Sequence, residues 1–285
     1  FFEIKLSLIN SLIFSIIPLN IYACGQTSSI CLQMFFFLFF LKLLFQLLKT
    51  QNKKNIIFFS LASSMTILIR GEFILLFILT IFFIYLNKKI KTINILKIIT
   101  ITILVISPYV VRNYIQFNQF FIVKSLGYNL WKGNNQLSTV GGYEDFKSLE
   151  FTHLNNKITK IKKNKYYEIN RDNIFLKEAT SNITAKPIYY FKLYIKKFFT
   201  YFFIDINSKY PNYNNFLHLF PIIVISIISA PGLFIVLKKK SFKSRYLIFL
   251  LLFNIIIFSV FFILPRYKLV ILPMQIILAA YFANY

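Results

Sequence analysis

Eight apolar stretches separated by polar or cationic breaks set the plan of this chain, at residues 4–22, 31–48, 55–69, 73–86, 95–111, 216–237, 246–264 and 269–282. About 20 residues at 1.5 Å rise each are needed to cross a bilayer as a helix. Each stretch is therefore read as a membrane helix, and the second carries only Lys42 as a charge. The third and fourth are short, so a tilted or re-entrant hairpin fits them equally; as a pair they leave the topology parity unchanged. The expected fold is an all-α polytopic membrane protein, with about eight transmembrane helices and one large, mixed but mainly helical extracytoplasmic loop. It divides into a five-helix membrane segment over 1–111, the loop with an interfacial helix over 112–215, and a three-helix membrane segment over 216–285.

The short connections set an orientation. One group of cations is Lys49, Lys53 and Lys54; a second is Lys88, Lys89 and Lys91; a third is Lys238, Lys239, Lys240, Lys243 and Arg245. The intervening turns are uncharged or nearly so, with Arg70 beside Glu72 in one and Arg266 with Lys268 in another. Lys-rich short loops face the cytoplasm. The 112–215 segment then faces outward, and its own lysines do not object, because loops beyond about 60 residues escape the rule. The expected location is a multi-pass cell (inner) membrane, with the large loop on the periplasmic or exterior side.

Composition sharpens this picture. The chain has 285 residues and a net charge of +24, which in a soluble protein would suggest nucleic acid. With 57% hydrophobic residues, 36 Phe and a mean hydropathy of +0.64, a soluble nucleic-acid binder or a secreted disulfide scaffold is excluded. Only 5 of the 33 basic residues are Arg, and abundant Ile, Phe, Asn and Tyr accompany the 28 Lys. That is the mark of an AT-rich genome, so charge alone names no partner. The opening at Phe1, inside an apolar run, reads as a chain lacking its true N-terminus. Cys24 and Cys31 read as free apolar residues, and no metal spacing is present.

Candidate chemistry gathers at the outer ends. Arg and Glu at membrane depth are costly and mark functional positions by default. Arg70 with Glu72 is one such place, or else a helix-end pair that snorkels to water. In the run Ser107-Pro108-Tyr109-Val110-Val111-Arg112, proline is expected to break the helix so that Arg112 emerges at headgroup level. Its planar fork suits phosphate, either of a specific ligand or of lipid generally. Trp131, the only tryptophan, precedes Gly133, Asn134 and Asn135, with Gly141 and Gly142 following. Such a turn suits a polar headgroup or carbohydrate, or it is an ordinary loop with an interfacial Trp anchor. Residues 154–182 read as helical, with Glu168 and Asp172 at i, i+4 on one face. From Pro187 on, aromatic residues alternate with Lys192, Lys196 and Lys197, as in an amphipathic helix on the outer surface. Finally, Pro265-Arg266-Tyr267 forms a corner between the last two helices.

These pieces, in this order, resemble the C-terminal two-thirds of a GT-C membrane glycosyltransferase. The nearest likeness is to the bacterial branch of the dolichyl-phosphate-mannose protein mannosyltransferase superfamily, which includes the aminoarabinose transferases. The matching segments are IPLNIYACGQTSSICL, LIRGEF, SPYVVRNYIQFNQFFIVKSLGYNLWKGNN with GGY, EINRDNIFLKEATSNITAKPIYY and PRYKLVILPMQIILAAY. The resemblance implies transfer of a sugar from a polyprenyl-phosphate-linked donor to a lipid, glycan or protein acceptor on the outer face. It implies Arg112 and Arg266 as donor-phosphate contacts. It places Trp131, Gly133, Asn134, Asn135 and Tyr267 around the sugar or acceptor cavity, with Arg70 and Glu72 in support. The acidic base of such enzymes would lie upstream of Phe1; no cofactor or metal is expected, though a divalent cation, as some relatives bind, stays open. The chain departs from the family where Ser28-Ser29-Ile30 lacks an acidic residue and where Gly71 follows Arg70 in place of proline. Rival expectations are an O-antigen polymerase or ligase and a lipid-linked sugar flippase.

Overall fold

The computed structural model describes residues 3–206 and 215–284; the end of the expected outer segment, 207–214, lies outside them. Among the described residues the chain is helical and holds no strand. The first helices are α1 (Ile4–Ile16), α2 (Pro18–Cys24), α3 (Ile30–Lys49), α4 (Lys53–Ile69), α5 (Phe73–Leu86) and α6 (Thr92–Phe117). There follow α7 (Leu126–Gly133), α8 (Thr152–Thr159), α9 (Tyr167–Ala185), α10 (Pro187–Phe202), α11 (Phe216–Lys238), α12 (Phe242–Val260) and α13 (Lys268–Ala283). Every apolar stretch of the sequence is helical over most of its length, the chief exception being 261–264. Five helical segments are long and apolar enough to cross a bilayer: α3, α6, α11, α12 and Pro265–Ala283. The pair α1 and α2, bent by 60°, makes a sixth if it counts as one span. The two remaining apolar helices are the short pair of the sequence reading, α4 with 17 residues and α5 with 14.

The polarity of the fold is that of a membrane protein. Ile4, Leu8, Leu12 and Ile16 form a stripe at least 60% exposed along α1. Meanwhile Ser60, Ser64, Thr80, Ser226, Ser229, Asn254 and Gln275 are fully buried. A broadly apolar outer surface, with polar side chains buried among the Leu, Ile and Phe of the interior, is the pattern expected of a membrane protein.

The chain divides into two compact units, Phe1–Ser28 with Ser125–Tyr285, and Ser29–Lys124. This is a partition by contact, where the sequence reading divides by topology. In the second unit α4 packs against α3 and α6. The small hydroxyl residues of α4 allow that approach, each donating back into its own helix: Ser60 Oγ to Ile56 O, Ser63 Oγ to Phe59 O and Ser64 Oγ to Ser60 O, all within 2.8 Å. In the first unit α11 packs on α13, α10 on α12 and α7 on α9. The α11–α13 crossing depends on Gly232, where a Cβ would fall 1.9 Å from the Leu278 carbonyl oxygen. Ser226 and Ser229 lie buried on the same face.

Proline behaves in two ways. At Pro18 the first apolar stretch bends, and the Asn20 amide donates to Phe14 O, the carbonyl that a residue-18 N–H would have served (3.0 Å). At Pro108 the expected break does not occur; α6 runs straight through to Phe117. Here Ser107 Oγ donates to Leu104 O at 3.0 Å, satisfying the carbonyl that proline leaves open. The helix ends instead at Asn118, in the left-handed region (φ 51°).

Candidate functional site

The Ser29–Lys124 unit has two chemically distinct ends. At one, Gln51 ties the Lys-bearing loops together, donating to Lys89 O (3.0 Å) and accepting from Lys91 N (3.2 Å) and Asn94 Nδ2 (3.1 Å). At the other, Arg70 closes α4 and Glu72 opens α5. The Arg70 guanidinium donates to Gln33 Oε1 at 2.9 Å and lies 2.5 Å from Glu72 Oε1. Arg70 and Glu72 are therefore brought together, as a half-buried pair at a helix N-terminus, where a carboxylate is favoured. Arg112 also belongs to this end, on the last turns of α6. It is exposed and donates only to Asn113 Oδ1 (3.2 Å), while Asn113 donates to Phe121 O (2.9 Å). No carboxylate neutralises Arg112 among the described residues.

The first unit holds the loop that follows α7. Trp131 is wholly buried in a cluster with Phe151, Leu154, Ile158, Phe175 and Ala179. The Asn134 side chain donates to Leu130 O and Val260 O, both at 2.9 Å. Asn135 donates to Tyr143 O (2.9 Å) and Trp131 O (3.2 Å), and accepts from Leu137 N (3.0 Å). Ile263 N donates to Val140 O at 2.9 Å. The Trp-Lys-Gly-Asn-Asn turn is thus seated on the segment after α12, with its amides spent on backbone. Gly133 makes the seating close, since a Cβ there would lie 1.9 Å from Phe261 O. That contact also accounts for α12 ending at Val260, short of the expected 264.

No protein-family model, curated protein or solved structure matches the chain. Its chemistry is therefore argued from its own residues.

Two of these escaped the sequence reading. Lys197 was grouped with Lys192 and Lys196 on a polar face, yet it is fully buried while they are exposed. Its Nζ donates to Phe261 O (2.5 Å) and Gly133 O (2.7 Å), with Asn134 Oδ1 at 3.4 Å. Burial without a carboxylate partner pushes this amine down to about 7. The legible signal was register: Lys197 falls at i+4 from Leu193 and i−4 from Tyr201, both buried, and at i+7 from buried Tyr190. Lys268 is the second, with Nζ donating to Tyr201 O (3.1 Å) and to Phe202 O. Gln275 also donates to Phe202 O at 2.8 Å, so α13 closes the carbonyl end of α10.

These contacts frame the corner Pro265–Tyr267, a single 3₁₀ turn in which Arg266 and Tyr267 are half-buried. Tyr267 meets Phe258 and Phe262 at centroid distances of 5.5 and 5.9 Å, and its carbonyl accepts from Tyr201 Oη at 3.0 Å. The Arg266 guanidinium stands 5.6 Å from the Tyr267 ring. Arg112 and Arg266 belong to different units.

Glu168 and Asp172, one turn apart on α9, take different partners. Residues 154–182 form two helices, α8 and α9, with a break between them. Exposed Glu168 pairs with Arg171 at 2.7 Å, while buried Asp172 accepts from Tyr128 N at the start of α7 (2.9 Å). Among the described residues no group of three His, Cys, Asp or Glu could hold a metal ion. Neither Cys24 nor Cys31 forms a disulfide among the described residues.

Proposed function

We propose that the protein is a GT-C type membrane glycosyltransferase. In this reading a sugar moves from a polyprenyl-phosphate-linked donor to a lipid, glycan or protein acceptor on the outer face of the inner membrane. The observation that carries the reading is Arg112: an exposed guanidinium with no carboxylate partner among the described residues, at the end of its helix bundle opposite the Lys-rich loops. With those loops held in the cytoplasm, Arg112 stands at outer headgroup level, where a lipid phosphate lies. Arg266, on the corner before α13, is the phosphate-binding candidate of its own unit. Trp131, Gly133, Asn134 and Asn135 shape the cavity by fixing the loop, and Tyr267 lines it.

The chemistry is an inverting displacement. An acceptor oxygen bonds to the anomeric carbon as the bond from that carbon to the phosphate oxygen breaks, and lipid phosphate leaves with the electron pair. The acceptor proton passes to a carboxylate base that no residue of this sequence is assigned to supply. Bidentate guanidinium contacts stabilise the charge growing on the leaving phosphate.

The test is turnover in proteoliposomes carrying the protein from its complete open reading frame, with a panel of labelled polyprenyl-phosphate sugars. Arg112→Ala and Arg266→Ala should each lower turnover by roughly 100-fold. Undiminished turnover in both variants would remove the site while keeping the class. Absence of turnover with every donor, alongside polymer growth from lipid-linked repeat units, would favour an O-antigen polymerase.

A further inference from the structure

The unit that holds the Arg266 corner is locked at a point where two helices end. The last residue of α7 is Gly133 and the residue just past α12 is Phe261, so their carbonyls lie at two helix ends. Both oxygens point at one atom, the Nζ of Lys197, at 2.7 and 2.5 Å. Two backbone carbonyls converging on one place repel one another unless a donor stands between them. A donor group from a third helix turns that repulsion into a bridge. Hydroxyl or amide side chains at position 197 are too short to match the reach of a lysine.

The bridge sits between the loop and the corner. Four residues separate Phe261 from Arg266, and within them Ile263 N is bonded to Val140 O of the same loop. Lys132, next to Gly133, stands 4.7 Å over the Phe262 ring and pairs with Glu144. Farther along α10, Tyr201 Oη holds the Tyr267 carbonyl, and Lys268 with Gln275 grips the end of α10. The backbone on either side of Arg266 is therefore fastened to one helix, by Lys197 before it and Tyr201 after it.

We propose that Lys197 is a positioning residue: it clamps the Gly133–Asn134 turn to Phe261 and so fixes where the Arg266 guanidinium presents itself to phosphate. The functional half of this statement rests on the transferase reading above; the clamp itself does not.

The experiment therefore has two arms, run on the full protein in proteoliposomes with Lys197→Met and Lys197→Arg. Methionine keeps the length and apolar stem but has no donor; arginine keeps donors. The first arm is amide hydrogen exchange over residues 131–143 and 260–267. Protection there should fall at least tenfold in Lys197→Met, with α3 to α6 unchanged, and recover in large part in Lys197→Arg. The second arm is donor kinetics, in which Lys197→Met should lower kcat/KM for the polyprenyl-phosphate sugar about tenfold and Lys197→Arg should restore most of it, since a displaced guanidinium loses the phosphate in the transition state. Equal protection in wild type and Lys197→Met would overturn the clamp. Lost protection with unchanged kcat/KM would overturn its functional role. A wild-type protein inactive on every donor would bring down the transferase reading, and the exchange arm would then decide the clamp alone.

Discussion

Two regions of this molecule bury polar side chains by opposite means. In α4 the buried polar residues are hydroxyls, and each donates to a carbonyl one turn back in its own helix. Contacts to other helices are secondary and long, as in Ser64 Oγ to Thr102 O at 3.4 Å. Around α10 the buried polar residues are lysines, and an ammonium cannot satisfy itself within one helix turn. Lys197 reaches from α10 to the ends of α7 and α12, and Lys268 reaches from α13 to the end of α10. Hydroxyls therefore permit close packing without dictating it. Buried amines dictate which helix ends must meet, because every unmatched carbonyl or amine costs about 1–3 kcal/mol.

The strongest way to break this contrast is Lys268→Met, which leaves Tyr201 O without its donor while Gln275 retains Phe202 O. The expected loss is roughly 2–3 kcal/mol, read as a lowered unfolding midpoint in detergent. An unchanged midpoint would mean that the lysine does not hold the end of α10.

Acidity sharpens the contrast next. Burial holds Lys197 at about 7 in the folded protein, against about 10.4 in an unfolded chain. Between these values the unfolded state binds a proton that the folded state lacks, so stability should rise with pH, by up to about 1.4 kcal/mol per unit. Below pH 7 both states hold the proton and the contribution is flat. The difference in midpoint between wild type and Lys197→Met, followed from pH 6 to 10, should show this rise. The clamp survives loss of the proton, because a neutral amine still has two N–H groups for its two close acceptors.

The smallest effect belongs to α4. Ser64→Ala removes a hydroxyl that mostly serves its own helix, and its cost should stay below about 1 kcal/mol. A loss comparable to that of Lys268→Met would erase the distinction.

The sequence displayed the helices well and their ends poorly. Hydropathy is a property of long windows, so every apolar stretch is helical over most of its length in the structure. Proline does not mark helix ends by itself: the chain bends at Pro18, where Asn20 caps the opened turn, but α6 continues through Pro108 and α11 through Pro221 and Pro231. A count of charges assigned Lys197 to the polar face, while its register with Leu193 and Tyr201 pointed inward. The turn after Trp131 stood out by composition, but its docking on Val260 and Phe261 joins residues more than 120 positions apart, beyond any local pattern. Arg70 and Glu72 were adjacent enough for their pairing to be visible.

The central claim is that the arginine-bearing end faces outward and the Lys-rich end faces the cytoplasm. Site-directed labelling tests it directly, in cells producing a variant in which Cys24 and Cys31 are replaced by Ser. A membrane-impermeant thiol reagent should modify Lys147→Cys in intact cells, and Lys89→Cys and Lys240→Cys only after lysis. Labelling of Lys89→Cys and Lys240→Cys from outside, with Lys147→Cys protected, would contradict the account.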